Sequence, residues 1–525
     1  MVLKGTSKNP LSQFAPDQYL CRLTMDKIQL LYVENVIARK KKGAYQELSF
    51  FMLVENVGYD KQVDVVWAGE DGVWQTLPVQ YHSKLGPDQE YWYALTKFHL
   101  SSDKSLPGNI QFGLRYQALG TEYWDNNHGL NYSSEADSGI KVAHNIPVLN
   151  IGFTDRLRDD QKFVPITVAV DQSLDAEKVT VHWTTDNWQH THKTPCHFKT
   201  NYWDKESLSN ARNPNQYGSQ VWKGWLKIRH AFRVQYSISC ESKGQTLWDN
   251  NYGHNYAISH EELKILILNL HCYQEDNQDD KFSQIAKAIN DLDIDIVCLQ
   301  EVAELWNDGE GDWDSNSAKI INDRLETPYH IYTDWAHLGF DRYREGVAIL
   351  SKYPLSEQES RYVSDSHDPY SIHSRKVVMA QINIPHMGLI NVFSAHLSWW
   401  EDGFQEQFNR LREWAESRQS ALVKGTLLCG DFNIAAGSSG YSLVVDSHQY
   451  EDQYLAANSP VVFEKIFKVN DPYWQQYLAD DYRIDFIFMD NSSDLQVTSG
   501  TVLFTGQDYG RVSDHCGYFM TFEPK

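Results

Sequence analysis

The chain has 525 residues, 42% hydrophobic and 13% aromatic with 17 Trp, and a formal charge of −23. That length accommodates about three domains of roughly 100–200 residues each, and the acidic field disfavours non-specific binding to nucleic acid or an anionic membrane. No run of 18 apolar residues occurs, so no transmembrane helix is expected, and positions 1–18 lack the basic start and apolar stretch of a secretory leader.

Residues 1–23 read as an N-terminal extension. Residues 24–132 alternate apolar and polar positions in runs such as Leu48–Asn56 and Gln62–Trp67, broken by Gly and Asp turns. Period-2 patterning with frequent turns predicts a β-sandwich. The stretch 133–146 is polar and Gly-containing and reads as a linker. Residues 148–256 repeat the plan in 165–170, 178–183 and 233–238. Each half closes on one motif: Tyr123-Trp-Asp-Asn-Asn-His-Gly-Leu-Asn-Tyr132 and Leu247-Trp-Asp-Asn-Asn-Tyr-Gly-His-Asn-Tyr256, with Trp124 and Trp248 124 residues apart. A period of that size is one whole small domain. Aromatic faces stack on sugar rings and amides pair with hydroxyls, so the motif suits a carbohydrate surface. The competing reading is a turn in which Trp124 and Trp248 are core, and for these two Trp the core reading is preferred. For the asparagines the two readings weigh equally.

From Leu263 the pattern becomes strand, helix, strand: an apolar run at 264–269, helical spacing of Phe282, Ile285, Ile289 and Leu292, then a run at 294–299. Later strands at 390–395 and 426–431 end in polar residues, which predicts an α/β domain with its chemistry at strand ends.

The repeated motif, with an acidic turn before Trp74 and another before Trp188, resembles starch-binding carbohydrate-binding module family 21. The resemblance covers about 24–256 as two copies, with boundaries at 24–140 and 147–260. It implies that Trp74, Asn127, Asn131 and Tyr132, and Trp188, Asn251, Asn255 and Tyr256, contact an α-glucan such as glycogen, starch or maltodextrin. A stretch around 200–218 with Tyr202, Trp203 and Tyr217 is either an added sugar platform or a loop. Two weak sites in tandem raise affinity for a polymer through effective concentration.

In 261–525 five polar elements follow apolar strands: Asn269, Gln300-Glu301, His396, Gly430-Asp431-Phe432-Asn433 and Ser513-Asp514-His515. Carboxylates and an amide at one sheet edge form a hard-ligand site for Mg²⁺ or Mn²⁺, and no Cys/His cluster has zinc spacing. Singly, each element is an ordinary loop, turn or cap. Together and in this order they resemble the endonuclease/exonuclease/phosphatase superfamily. That resemblance implies an α/β four-layer sandwich with Glu301 as principal metal ligand beside Asn269 and Asp514. Asp431 and Asn433 would orient the attacking water or the phosphoryl group. His515 would act at the phosphoryl centre with Asp485 fixing its ring. His396 would be the second histidine with Glu345 as its carboxylate partner, and Tyr343 and Arg375 would contact phosphate. Three longer segments, beginning at His271, Asp334 and His396, look like the bacterial branch containing maltose 6'-phosphate phosphatase. Trp399 and Trp400 either stack on the substrate sugar or lie under the following helix.

Seven scattered Cys make no disulfide framework and read as free thiols of a reducing, cytoplasmic setting. The expectation is a multidomain hydrolase: two all-β immunoglobulin-like sandwiches ahead of a metal-dependent phosphatase, acting on an α-glucan-derived sugar phosphate, with neither a nucleic-acid nor a membrane partner. A glucan-tethered nuclease or other phosphodiesterase, and a non-enzymatic glycogen scaffold, are the alternatives.

Overall fold

The structure is a computed structural model that describes residues 27–40, 43–58, 60–86, 88–154, 156–198, 219–458 and 483–525. The 1–23 extension and Tyr202, Trp203 and Tyr217 lie outside the described residues. The chain divides into two compact units, 1–260 and 261–525. Among the described residues no helix is long and apolar enough to cross a membrane.

The first unit holds two β-sandwiches. In the first, strands Ile28–Lys40, Gly43–Glu55 and Gln89–His99 centre a five-stranded sheet. It faces a second sheet ordered Trp74–Pro78, Lys61–Ala68, Ile110–Ala118 and Thr121–Asp125. Alternation is the cause: Val63, Val65 and Trp67 point inward with Phe112, Leu114 and Tyr116, while the residues between them form the outer face. The 133–146 stretch is not a linker. Its Gly139–Val142 pairs antiparallel with Ile28–Lys40 as an edge strand, because Ile140 and Val142 bury apolar side chains that solvent would not hold.

The second sandwich repeats the plan, with strands Phe163–Asp171 and Ser219–Lys227 in one sheet and Lys178–Thr184, Arg233–Ser242 and Gln245–Asp249 in the other. Its core joins that of the first. Phe153 lies 4.4 Å from the Phe51 ring and 6.4 Å from Tyr256, and Ala169 belongs to the apolar cluster of the first sandwich.

Both closing motifs fold into the same corner. Asp125 accepts from the Leu30 N–H at 2.7 Å and the Tyr132 hydroxyl at 2.6 Å; Asp249 accepts from the Asn150 N–H and the Tyr256 hydroxyl, both at 2.8 Å. The next Asn caps the Gly N–H three residues on, and the one after donates to the carbonyl four residues on. Asn127, His128 and Asn131, like Asn251, Tyr252 and Asn255, have left-handed backbones, which Asn tolerates best among non-Gly residues. The asparagines and tyrosines therefore build the turn. In the second copy they also join the modules: the Tyr91 hydroxyl donates to Asn251 Oδ1, and His254 rests on Gly86, where any Cβ would come within 2.8 Å of its ring.

The second unit stacks two six-stranded sheets. One is ordered His330–Gly339, Tyr343–Ser351, Ile296–Leu305, Leu263–Asn269, Gly517–Pro524, Leu495–Leu503. The other is ordered Leu355–Tyr362, Lys376–Ile384, Gly388–His396, Val423–Asp431, Asp485–Asp490, Tyr450–Asp452. Helix Gln278–Leu292 covers the first with Phe282, Ile285 and Ile289, and helix Phe404–Ser417 covers the second with Phe404, Phe408, Leu411 and Trp414. This is the expected four-layer α/β sandwich, its helical layers set by 3.6-residue apolar spacing.

Since Asn251 is buried and Asn127 is exposed, their truncation should differ. Asn251→Ala is expected to cost about 1–3 kcal/mol of stability and Asn127→Ala less than about 1 kcal/mol, read from urea unfolding midpoints. Equal costs would show that the second corner does not join the modules.

Candidate active site

The catalytic elements converge at one end of the two sheets. Strand Leu263–Asn269 ends with the Asn269 amide between both sheets: its nitrogen donates to Glu301 Oε1 at 2.9 Å and Asp431 Oδ2 at 3.0 Å, and its oxygen accepts the His271 N–H at 3.0 Å. Glu301 does not end its strand. It sits inside Ile296–Leu305 at a register shift between Gln300 and Val302, with φ of 49°. A bulge there turns the carboxylate toward the site. Asp431 ends the parallel strand beside His396. The preceding Gly430 (φ 136°) is demanded by close approach, since a Cβ there would lie 2.1 Å from the Ala395 carbonyl oxygen.

Asp431 lies between two histidines, with His396 Nε2 at 3.7 Å and His515 Nε2 at 3.8 Å, and accepts the Asn433 N–H at 2.8 Å. Asn433 itself donates to the Leu397 carbonyl, so it ties its own loop to the residue that follows His396. Asp485 Oδ2 is 2.8 Å from His515 Nδ1. The partner expected for His396 is different. Glu345 pairs instead with buried His337 (3.5 Å), which also hydrogen-bonds through Nδ1 to the Ser374 carbonyl. A bulge between Trp335 and His337 opposite Gly346 turns His337 inward, a feature with no period-2 signature. His396 is flanked by Arg375, whose Nη1 lies 3.2 Å from Nδ1. Tyr343 is buried and stacks on Tyr273 at 4.7 Å, placing it in the core rather than at a phosphate. Trp399 is half-buried, and Trp400 is partly exposed, packed near Phe404 and Gly440.

Electrostatics split these groups. Burial drives His396 well below the usual imidazole range, aided by Arg375 and His337, so it is neutral. Burial also opposes charge on His515, but Asp485, Asp431 and Asp514 overcome it and hold the ring protonated. Asp431 rises to about 7 through burial and the nearby Asp485 charge. Glu301 rises to about 7 through burial and repulsion from Glu345 and Asp514. The Glu301 and Asp514 carboxylates beside the Asn269 amide oxygen are the hard donors a divalent cation such as Mg²⁺ or Mn²⁺ would take, and its charge would relieve that repulsion. Asn269, Glu301 and Asp514 would hold it.

The sandwiches present a second surface, and here the expected sugar contacts change. Trp188, Tyr256 and Asn251 are buried, and Tyr132, Asn127, Asn131 and Asn255 hold the corners. Trp124 and Trp248, preferred above as core, stand 42% and 47% exposed. On the outer face of the first sandwich, register pairs Trp74 with Ala68 and Trp124 with Arg115, so the two rings stand on opposite edge strands of one sheet face. Three strand spacings, about 14 Å, and a four-residue offset along the strands, about 13 Å, set their backbone positions about 20 Å apart, over a floor of Val66, Ala68 and Gly113. A Cβ at Gly113 would lie 3.2 Å from Asn126 Cβ and in ordinary contact, 3.7 Å, with the Trp124 indole, so the glycine chiefly makes room for the corner. In the second sandwich Trp248 instead packs against His182, with ring centres 4.7 Å apart and planes tilted by 45°.

With fold and site described, residues 268–515 match the endonuclease/exonuclease/phosphatase family, and 26–135 and 153–259 match carbohydrate/starch-binding module family 21. The C-terminal part of the chain is thus an endonuclease/exonuclease/phosphatase-type domain, a group whose members are hydrolases of the nuclease and phosphatase kind, and it follows two segments of the starch-binding type. The uncharacterized protein YbhP of Escherichia coli K12 is 26% identical over 263 residues, spanning 48% of this chain and 93% of that protein. A DNA-(apurinic or apyrimidinic site) endonuclease of Arabidopsis thaliana is 23% identical over 175 residues, spanning 29% of this chain and 46% of that protein. The solved endonuclease/exonuclease/phosphatase family protein of Leptotrichia buccalis aligns with a TM-score of 0.44 at 25% identity, covering 50% of this chain and 99% of that one.

The His515 charge gives a pH signature. Its pKa is raised in the fold, so the pairing contributes fully below the unfolded value of about 6.5 and is lost as pH rises through the folded value. Asp485→Asn should lower the ring's titration midpoint in NMR. Its destabilisation in urea should be larger near pH 6 than near pH 10. A midpoint unmoved by Asp485→Asn would remove that carboxylate as the cause.

Proposed function

We propose that the chain is a divalent-metal-dependent phosphomonoesterase acting on an α-glucan-derived sugar phosphate, maltose 6-phosphate-like or carried on glycogen or maltodextrin, and that its tandem modules hold it on glycogen or starch. The observation carrying this reading is the geometry around Asp431: its carboxylate stands 3.7 Å from His396 Nε2 and 3.8 Å from His515 Nε2, with Asp485 2.8 Å from His515 Nδ1, in a chain that also carries two starch-binding segments. A carboxylate between two histidines in different surroundings supports divided acid and base roles.

Asp431 takes the proton of the attacking water as its oxygen bonds to phosphorus. His515, held cationic by Asp485, and Arg375 stabilise the charge on the phosphoryl oxygens. The phosphorus–oxygen bond to the sugar breaks, phosphate leaves, and the sugar oxygen regains a proton from solvent. His396 stays neutral and hydrogen-bonds rather than carrying charge, and Glu345 keeps His337 in place. A bound divalent cation supplies charge neutralisation at the phosphate. The exposed Trp74 and Trp124 form the glucan face, with Trp248 as a smaller contact. The −23 charge and the glucan modules favour a sugar phosphate over DNA. We assign Trp399 and Trp400, three and four residues beyond His396, to contact with the substrate sugar. The setting we assign is the cytoplasm, where glycogen and free thiols coexist.

Maltose 6-phosphate, phosphorylated glycogen and plasmid DNA assayed side by side with Mg²⁺ should give phosphate release from the sugars and intact plasmid. DNA cleavage without phosphate release would overturn the reading. Glu301→Ala should lower turnover about 100-fold or more with glycogen pull-down intact. Trp74→Ala with Trp124→Ala should weaken glycogen retention roughly tenfold and leave turnover of a small sugar phosphate unchanged.

A further inference from the structure

The seam between the two sandwiches is only partly closed. Strands Phe163–Asp171 and Ser219–Lys227 pair in register, setting Ala169 opposite Val221, Thr167 opposite Lys223, Pro165 opposite Trp225 and Phe163 opposite Lys227. Period-2 alternation puts all four pairs on one side of that sheet. Ala169 and Val221 are buried, Thr167 and Lys223 half-buried, and the outer two pairs exposed, Trp225 by 51% and Phe163 by 50%. This side of the sheet therefore starts in the seam and runs out into solvent.

Facing its buried end are Tyr32 and Glu34 of the first sandwich, register partners of Val142 and Ile140 on the edge strand. Between them lies a cavity of about 330 Å³, lined by Tyr32, Glu34, Ile140, Thr167, Val221 and Lys223. Small-molecule sites occupy about 300–1,000 Å³. The Tyr32 hydroxyl and the Glu34 carboxylate have no hydrogen-bond or ion-pair partner among the described residues, a costly state for groups withdrawn from water. Burial, with the Glu47 charge, lifts Glu34 to about 7, so its carboxyl can donate as well as accept.

We propose that this groove is a further carbohydrate site, separate from the Trp74–Trp124 face, which takes the end of a short α-glucan in the cavity and its following sugars across Trp225 and Pro165. The ligand class rests on the glucan binding proposed above for the modules, whereas the site rests on the cavity and the platform beside it. Apolar walls with a phenol, a carboxyl, a hydroxyl and an ammonium group match a sugar, whose hydroxyls ring an apolar face. Trp225 stands one row, about 7 Å, outside Lys223 and offers an indole face for stacking. The competing occupant is a second copy of the chain laid over Phe163 and Trp225. A flat protein surface there would cover the platform and leave the cavity's polar groups unpaired.

The test is calorimetric titration of the full chain with maltotriose. With Trp74→Ala, Trp124→Ala and Trp248→Ala combined, maltotriose should still bind, and adding Trp225→Ala or Glu34→Gln should weaken that residual binding roughly tenfold. Trp225 is exposed and Glu34 unpartnered, so urea midpoints should stay where they are. In fluorine NMR of fluorotryptophan-labelled chain, the resonance missing from Trp225→Phe should shift on adding maltotriose. Residual binding indifferent to both Trp225→Ala and Glu34→Gln would overturn the site. So would self-association that Trp225→Ala abolishes in a chain whose Trp225 resonance ignores maltotriose. Complete loss of binding in the triple variant would overturn this site and leave the glucan reading standing, whereas failure of the unaltered chain to bind glycogen or maltotriose would overturn both.

Discussion

A single amide holds the active site together. The Asn269 nitrogen donates to Glu301 on the first sheet and to Asp431 on the second, at 2.9 and 3.0 Å. Those carboxylates come from strands on different sheets, and both are driven toward neutrality by burial and like charge. Without a shared donor, two buried acids at this edge would push the sheets' ends apart. With it, the edge becomes a fixed cradle, and the histidines can be placed around Asp431 at distances of 3.7 and 3.8 Å.

The rest of the site follows from charge compensation. His515 is cationic because three carboxylates face it, and His396 is neutral because Arg375 and burial oppose its protonation. Neither state belongs to a histidine by itself. Each is imposed by the sheet edge on which the residue stands, which is why the same residue type plays two parts a few ångströms apart.

Much of this was legible from the residues. Period-2 alternation fixed the sandwiches, and apolar spacing along 282–292 found the helix that covers the first sheet. The residues at strand ends, Asn269, His396 and Asp431, were readable because a polar group after an apolar run must surface at an edge. The features that escaped break the period. Glu301 was singled out but read as ending its strand, and His337 was not singled out; both are aimed by bulges, and a one-residue bulge looks like any other position in a strand. The pairing of Glu345 with His337 was therefore invisible. In the repeated corner, asparagine was weighed as a sugar ligand when its tolerance of left-handed backbone was the stronger demand. The 133–146 stretch looked like a linker because four pairing residues are too few to show alternation.

The second corner's burial against the first sandwich has a consequence for how the chain meets a polymer. Two modules on a flexible tether sample many separations, and their combined grip depends on tether length. Here Phe153, Asn251 and His254 seat one sandwich on the other, so Trp74, Trp124 and Trp248 belong to one solid piece. Under the proposed glucan binding, such a piece would work as a caliper, gripping strands whose spacing matches its own and slipping on those that do not.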